Sequence, residues 1–126
     1  MNTYLVTAAI LGFFVGLIHS VVGELMVFSR LRESQWVPTN GGNVLLRPHV
    51  RILWASWHVL TVLGWLAASV LWLLAAEPVT DLRSSLLQAI GVAMMLSSMI
   101  VLYGTKARHP GWVGLLGVAV LTYMGI

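Results

Sequence analysis

The segment YLVTAAILGFFVGLIHSVVGELMVF, which runs from Tyr4 to Phe28, decides the fold of this chain. It is long and apolar enough to cross a lipid bilayer as a helix, yet it contains the imidazole of His19 and the carboxylate of Glu24. Ionisable side chains at that depth are costly unless they are paired or used for a function. The segment therefore predicts a membrane helix with a polar site near one end.

The composition places the whole chain in a lipid bilayer. Of its 126 residues, 59% are hydrophobic and only 9% are charged, which leaves too little polar surface to cover a water-soluble domain. The chain has no cysteine, so any metal ligand has to be a histidine, a carboxylate or a carbonyl. The formal charge of +3 comes from basic residues that flank apolar segments. They form no aromatic-interleaved patch, so no nucleic-acid partner is expected.

Four apolar segments are predicted to span the bilayer. The first lacks the positively charged start of a secretory signal and is expected to be retained. Apart from the loop of residues 29–49, the links are short, and short links force neighbouring helices to run antiparallel. The predicted fold class is all-α, a single-domain integral membrane up-down-up-down four-helix bundle. Its spans are Tyr4 to Phe28, Val50 to Ala76, Leu82 to Gly104 and Pro110 to Ile126.

The basic residues are divided unequally between the two ends of the predicted bundle. Arg83 lies alone at one end, and the other six of the seven lie at the end that holds the long loop and the link TKARH. These six are Arg30, Arg32, Arg47, Arg51, Lys106 and Arg108. Since cytoplasmic loops carry the excess of lysine and arginine, we expect the long loop in the cytoplasm and both termini outside.

Helical periodicity collects small residues on one face of the first helix and large residues on one face of the second. An α-helix turns about 100° per residue. The stripe on the first helix consists of Gly12, Gly16, His19 and Gly23. The stripe on the second consists of Trp54, His58, Thr61, Trp65 and Trp72, with Arg51 close to it. Because membrane helices associate through small residues, we expect the indoles to fit into the glycine groove.

Depth counted from the loop end predicts which residues of these stripes meet. The count places Gly23 level with Trp54 and Gly12 nearly level with Trp65, at about 1.5 Å per residue. It also places His19 and His58 at nearly equal depth on adjacent helices. The two histidines are therefore expected to approach each other in the cytoplasmic half of the bundle.

A histidine pair of this kind suggests a binding site for a metal or a haem. Imidazole suits zinc, copper or iron, and a b-type haem is the other candidate if the helices leave a slot for it. His109 or Glu24 is a candidate further ligand to His19 and His58. The residues expected to support or line the site are Ser20, Arg51, Trp54, Thr61, Trp65 and Ser98.

Purely structural roles for the same residues remain open. Either histidine can instead bond across helices to a hydroxyl or a backbone carbonyl, and Glu24 can form an ion pair with Arg51 near the interface. His109, next to Pro110, can cap the fourth helix. Glu24 lies about 140° around the helix from His19. The two can bind one metal only through a local distortion, for which Gly23 offers the freedom.

No catalytic motif is evident, and three functions stay open. The chain has no glycine-rich phosphate loop, zinc-protease helix, nucleophile elbow or di-iron carboxylate motif. The first function is the binding of a metal or haem. The second is a structural subunit that assembles with itself or a larger membrane complex through its glycine faces and tryptophans. The third is a small oligomeric transporter or channel with Glu24 as a proton-coupled group.

Three short motifs together carry a resemblance. They are HSxxGE from His19 to Glu24, WxxWH from Trp54 to His58, and RHPGW from Arg108 to Trp112. In this combination the chain resembles a group of small bacterial four-span membrane proteins to which no activity is assigned. The resemblance implies a location in the bacterial inner membrane.

Overall fold

The computed structural model describes residues 1–76 and 81–126, and in these ranges the regular structure is helical. Helix α1 spans Thr3–Val22 and continues through a π-helical turn, Gly23–Val27, and a 3-10 turn, Phe28–Leu31. Helix α2 spans Arg47–Ala75, α3 spans Leu82–Thr105 and α4 spans Gly111–Met124. The predicted all-α fold is confirmed. Residues 77–80 of the predicted EPVTD link lie outside the described ranges.

Local sequence signals set the helix ends. The Asn2 side chain accepts hydrogen bonds from the amides of Tyr4 and Leu5, and the Asp81 side chain accepts one from Ser84, so both residues satisfy free amides at a helix start. Proline occupies the first turn of α2 and immediately precedes α4, where its missing amide costs nothing.

Three helices are long and apolar enough to cross a membrane, since a span needs about 20 residues. They are Thr3–Leu31 with 29 residues, Arg47–Ala75 with 29 and Leu82–Thr105 with 24. Helix α4 has 14 residues and is therefore about 21 Å long, against a hydrocarbon core of about 30 Å. The fourth helix is thus shorter at both ends than the predicted span from Pro110 to Ile126.

Successive helices pack against one another, and the hydrogen bonds between them place the start of one beside the end of the next. At one end of the α1–α2 pair, the amide of Asn2 donates to the carbonyl of Ala75 at 3.2 Å. At the other end, the Trp57 indole donates to the carbonyl of His19 at 3.0 Å. The connections are consistent with the predicted up-down-up-down order.

The core cluster of buried side chains lies at the end of the molecule that holds the loop of residues 32–46. The loop returns to the first helix through the amides of Thr39 and Asn40, which both donate to the Leu31 carbonyl. Residues 41–45, which begin within its TNGGN sequence, form a turn closed by an isolated bridge between Gly41 and Leu45. The core cluster draws on the end of the first helix, the loop, α2 and α3 and consists of Phe28, Val37, Trp54, Ala55 and Val101.

Helix α1 leaves most of its apolar surface uncovered. Within Thr3–Val22 only Ala9 and Gly16 are buried, while Leu11 is 63% exposed and Ile18 is 58% exposed. Contiguous apolar surface of this extent is typical of a membrane or protein contact and not of a free water-soluble monomer.

Candidate functional site

The glycine stripe of α1 receives indoles of α2, one turn away from the predicted register. A Cβ atom on Gly16 would lie 2.8 Å from the Trp65 indole nitrogen, and one on Gly23 would overlap the Trp57 ring. Gly12 faces Ala68 instead of Trp65. The predicted pairs of Gly23 with Trp54 and Gly12 with Trp65 are therefore wrong, since each glycine meets a residue about one helical turn from the one predicted.

These indoles also hold the backbone of α1. The Trp57 nitrogen donates to the carbonyl of His19 at 3.0 Å, and the Trp65 nitrogen donates to the carbonyl of Phe13 at 3.1 Å. A buried indole N–H needs such a partner. Because glycine has no side chain, the ring comes close enough to reach a main-chain oxygen, so that each indole both packs and hydrogen-bonds.

The α-helix changes to a π-helical turn at Gly23, the residue under Trp57. The amide of Phe28 donates to the carbonyls of Gly23 and Glu24, and the bond to Gly23 spans five residues. Extra residues in a turn rotate the following side chains about the helix axis, and π-helical turns are common at functional sites. A local distortion is thus present at the glycine expected to allow it, but it does not bring Glu24 and His19 together, since Glu24 contacts His58 and His19 stacks on Trp57.

Glu24 is the hub of a polar cluster between α1 and α2. Its Oε1 atom accepts from the Trp54 indole at 2.5 Å and lies 2.9 Å from His58 Nε2. Its Oε2 atom accepts from the Arg32 guanidinium. The side chains of Glu24, Arg32 and His58 are 29%, 26% and 16% exposed, so the cluster is largely shielded but open on one side.

The predicted ion pair between Glu24 and Arg51 is wrong, because Arg32 takes that position. The 3-10 turn ends at Leu31 and the chain becomes extended at Arg32, which turns this guanidinium back towards the carboxylate. Arg51 instead donates to the carbonyl of Gly104 at 2.6 Å and to the side chain of Gln35 at 3.5 Å. It ties the start of α2 to the end of α3.

Two hydroxyl groups extend the cluster deeper between the helices. Ser20 Oγ lies 2.9 Å from His58 Nδ1 and 2.8 Å from Thr61 Oγ1. Ser20 and Glu24 are four residues apart and share a face of the first helix. Thr61, Ser20, His58, Glu24 and Arg32 thus form one unbroken chain of hydrogen bonds, which we call the Glu24 relay.

His19 does not join this chain. Its ring stacks on Trp57 with centroids 4.4 Å apart and planes 7° apart, and its Nε2 atom is buried without a hydrogen-bond partner. In this structure the Trp57 indole covers the His19 ring and donates to the His19 carbonyl, whereas the His58 ring contacts Ser20 and Glu24.

His109 and Ser98 lie outside the relay, and both form hydrogen bonds to the backbone at the start of α4. His109 Nδ1 accepts from the amide of Gly111 at 3.1 Å. This is the helix-capping role predicted for His109 as the alternative to metal binding. Ser98 donates to the carbonyl of Trp112 at 2.8 Å. Within residues 1–76 and 81–126, no three histidine, cysteine or acidic side chains lie together as a metal site.

Sequence reasoning found Glu24, His58, Ser20, Trp54 and Thr61, which the structure joins in one network. It missed Arg32 and Trp57. The sequence contained a signal for Trp57, because this residue directly precedes His58 and lies about one helical turn after Trp54. Arg32 carried no comparable signal, because its position depends on the turns after Gly23.

Comparison of the chain with protein-family models, with curated proteins and with solved structures finds no match in any of the three.

Proposed function

We propose that the chain is an integral membrane protein with its long loop in the cytoplasm and both termini outside. Three helices of sufficient length and the uncovered apolar surface of α1 support insertion. The excess of lysine and arginine at the loop end supports the orientation. In this placement the Glu24 relay starts near the cytoplasmic interface at Arg32 and ends between the helices at Thr61.

We further propose that the Glu24 relay is the proton-binding site of a small proton-coupled transporter. The observation that carries this proposal is the unbroken chain from Thr61 to Glu24, in which the hydroxyl and imidazole groups can donate and accept protons and the carboxylate can accept one, with the fixed cation of Arg32 at its end. Glutamate and histidine chains inside membrane proteins are typical of proton relays. A carboxylate placed only for packing would need no connected hydroxyl and imidazole groups.

The donors around Glu24 determine how a proton moves. Indole and guanidinium groups only donate, so Trp54 and Arg32 favour the carboxylate form of Glu24. His58 then donates from Nε2, and its Nδ1 accepts from the Ser20 hydroxyl in the neutral tautomer that the network implies. A proton added at Nδ1 makes an imidazolium, which returns to neutral imidazole when its Nε2 proton passes to Glu24.

Infrared spectroscopy tests whether Glu24 and His58 share a proton. Difference spectra between pH values, recorded on protein in lipid vesicles, report the carboxyl and carboxylate forms of glutamate. When two titrating groups interact, removal of one changes the pH at which the other binds its proton. We expect Glu24→Gln to remove a carboxyl signal and His58→Gln to shift the pH at which that signal appears.

Two variants serve as matched controls. His19→Gln removes a histidine outside the relay, and Glu33→Gln removes an exposed carboxylate in the loop. Neither is expected to move the Glu24 signal. A Glu24 signal that is absent in the wild type, or that His58→Gln leaves unchanged, would show a static ion pair and favour the structural-subunit function.

A metal site built on His58 and Glu24 is the second candidate. Ser20 holds Nδ1 of His58, which leaves Nε2 directed at a carboxylate oxygen 2.9 Å away. A ligand histidine is commonly oriented through its other nitrogen in this way. Zinc, copper or iron would enter between these two atoms, with water completing its coordination. A b-type haem with two histidine ligands would need His19 to leave Trp57.

Metal content and the absorption spectrum test this second candidate on protein purified in mild detergent. A metal at His58 and Glu24 is lost in His58→Ala and Glu24→Gln and retained in His19→Ala. A haem held by both histidines is lost in His19→Ala as well. Protein that stays colourless and metal-free after reconstitution with zinc, copper, iron or haem would refute both the metal site and the haem site.

A further inference from the structure

A second polar region lies at the loop end, separate from the Glu24 relay. It is a cavity of about 520 Å³ between the loop, the start of α2 and the link from α3 to α4. Pockets that hold small molecules typically enclose about 300–1,000 Å³. The basic side chains that line it are Arg47, His49, Arg51, Lys106, Arg108 and His109.

The charge of this cavity is strongly one-sided. Four of its lining residues are permanent cations, and Glu33 is the sole carboxylate among the residues that line it. Both ion pairs found in residues 1–76 and 81–126 are made by Glu24, with Arg32 and His58. None of the four cations is neutralised by these pairs. Four close positive charges repel one another, and an anion in the cavity would relieve this repulsion.

The backbone around the cavity adds positive potential. Helix α2 begins at Arg47 with no side-chain cap and no acidic residue in its first turn. The helix dipole favours an anion near such an end. Arg47, Pro48 and His49 line the cavity, so the field of this helix start adds to that of the side chains.

The link from α3 to α4 places two of the lining cations. Lys106 and Ala107 are both left-handed, with φ of 53° and 61°, and a left-handed residue commonly ends a helix. Backbone hydrogen bonds from Ala107 to Leu102 and from Arg108 to Thr105 hold this conformation. Lys106 and Arg108 lie on either side of Ala107 in the sequence, and both line the cavity.

We propose that this cavity binds a phosphate-bearing anion. Arginine pairs with phosphate through two parallel hydrogen bonds, and lysine supplies a point charge. The cavity is open at the end of the molecule that we place at the cytoplasmic interface, where two sources of phosphate are present. One is the headgroup of an anionic phospholipid, and the other is a soluble phosphate compound. The site does not depend on the proton-binding function.

Binding is measured on the full chain in neutral dodecyl maltoside micelles by titration calorimetry. The probes are inorganic phosphate, glycerol phosphate and dihexanoyl phosphatidylglycerol, with dihexanoyl phosphatidylcholine as a zwitterionic lipid. We expect saturable binding of at least one of the first three. Binding of phosphate or glycerol phosphate identifies a soluble source, and binding of phosphatidylglycerol alone identifies a lipid headgroup.

The variants separate a built site from general attraction to a basic surface. Lys106→Gln and Arg108→Gln each remove one lining cation and are expected to weaken binding about tenfold, the size of a hydrogen bond to a charged group. Arg30→Gln removes an equal charge from the same end of the molecule but not from the cavity, and it is expected to leave binding unchanged within about twofold.

Two results would overturn this proposal. One is the absence of saturable binding of all three anionic probes to the wild-type protein. The other is equal weakening by Arg30→Gln and by the two cavity variants, since that would mean diffuse attraction without a site. Circular dichroism of each variant confirms that its helices are intact, and Ala107→Gly, which relieves the left-handed strain without loss of charge, provides a folded reference.

Discussion

His58 and Glu24 lie on different helices with their Nε2 and Oε1 atoms 2.9 Å apart. The contact exists because Glu24 lies one turn after Ser20 on the face of the first helix that meets α2, where Ser20 also bonds to His58. The Trp57 ring, next to His58 in the sequence, occupies the space of a missing side chain at Gly23, next to Glu24. The close packing of one indole therefore lies directly beside the contact, which connects the stability of the helix pair to the chemistry of the site.

A methyl group at Gly23 is expected to destabilise the protein. Because its Cβ atom would overlap the Trp57 ring, Gly23→Ala should reduce the free energy of unfolding by about 1–3 kcal/mol, the usual cost of overpacking. Thermal unfolding in detergent micelles measures the effect. Gly114→Ala is the matched control, since nothing lies within 4 Å of its Cβ position, and it should be neutral or stabilising by up to about 1 kcal/mol.

The Glu24–His58 contact should give a measurable coupling energy. Unfolding of the wild type, Glu24→Gln, His58→Gln and the double variant forms a cycle, and residues in one hydrogen-bonded network typically show about 0.5–3 kcal/mol of coupling. A cycle of Glu24→Gln with His109→Gln is the control, because His109 shares no hydrogen-bond partner with Glu24. Additive effects in the first cycle would contradict the network.

The sequence was sufficient for the large features because each rests on a strong physical signal. Apolar length and short links predicted the helices and their antiparallel order, and small residues facing indoles predicted the α1–α2 packing. Failures arose where a local irregularity decides the geometry. The π-helical and 3-10 turns after Gly23 change the path of the chain, and the extended backbone at Arg32 places its guanidinium beside Glu24. Neither follows from an ideal 3.6-residue period.

Transport coupled to protons should be visible as solute-dependent proton movement. Vesicles that contain the protein and a trapped pH dye are placed in a proton gradient, and a panel of cationic, anionic and neutral solutes is added. We expect one solute class to dissipate the gradient faster than in protein-free vesicles. Because Glu24 carries the proton in this proposal, Glu24→Gln should abolish the effect, whereas His19→Gln should retain it. Equal rates in wild type and Glu24→Gln would contradict the proposal.

Replacement of His19 by phenylalanine distinguishes a packing residue from a ligand. His19→Phe keeps the stacking on Trp57 and removes a buried nitrogen without a partner. Since an unsatisfied buried polar atom costs about 1–3 kcal/mol, the variant should unfold at the same or a higher temperature than the wild type. His58→Phe should instead lose stability by about 1–3 kcal/mol, because it leaves Ser20 and Glu24 without their shared partner. If His19→Phe is destabilised as strongly as His58→Phe, the His19 nitrogen has a partner in the purified protein, and a bound metal or haem becomes the better explanation of both histidines.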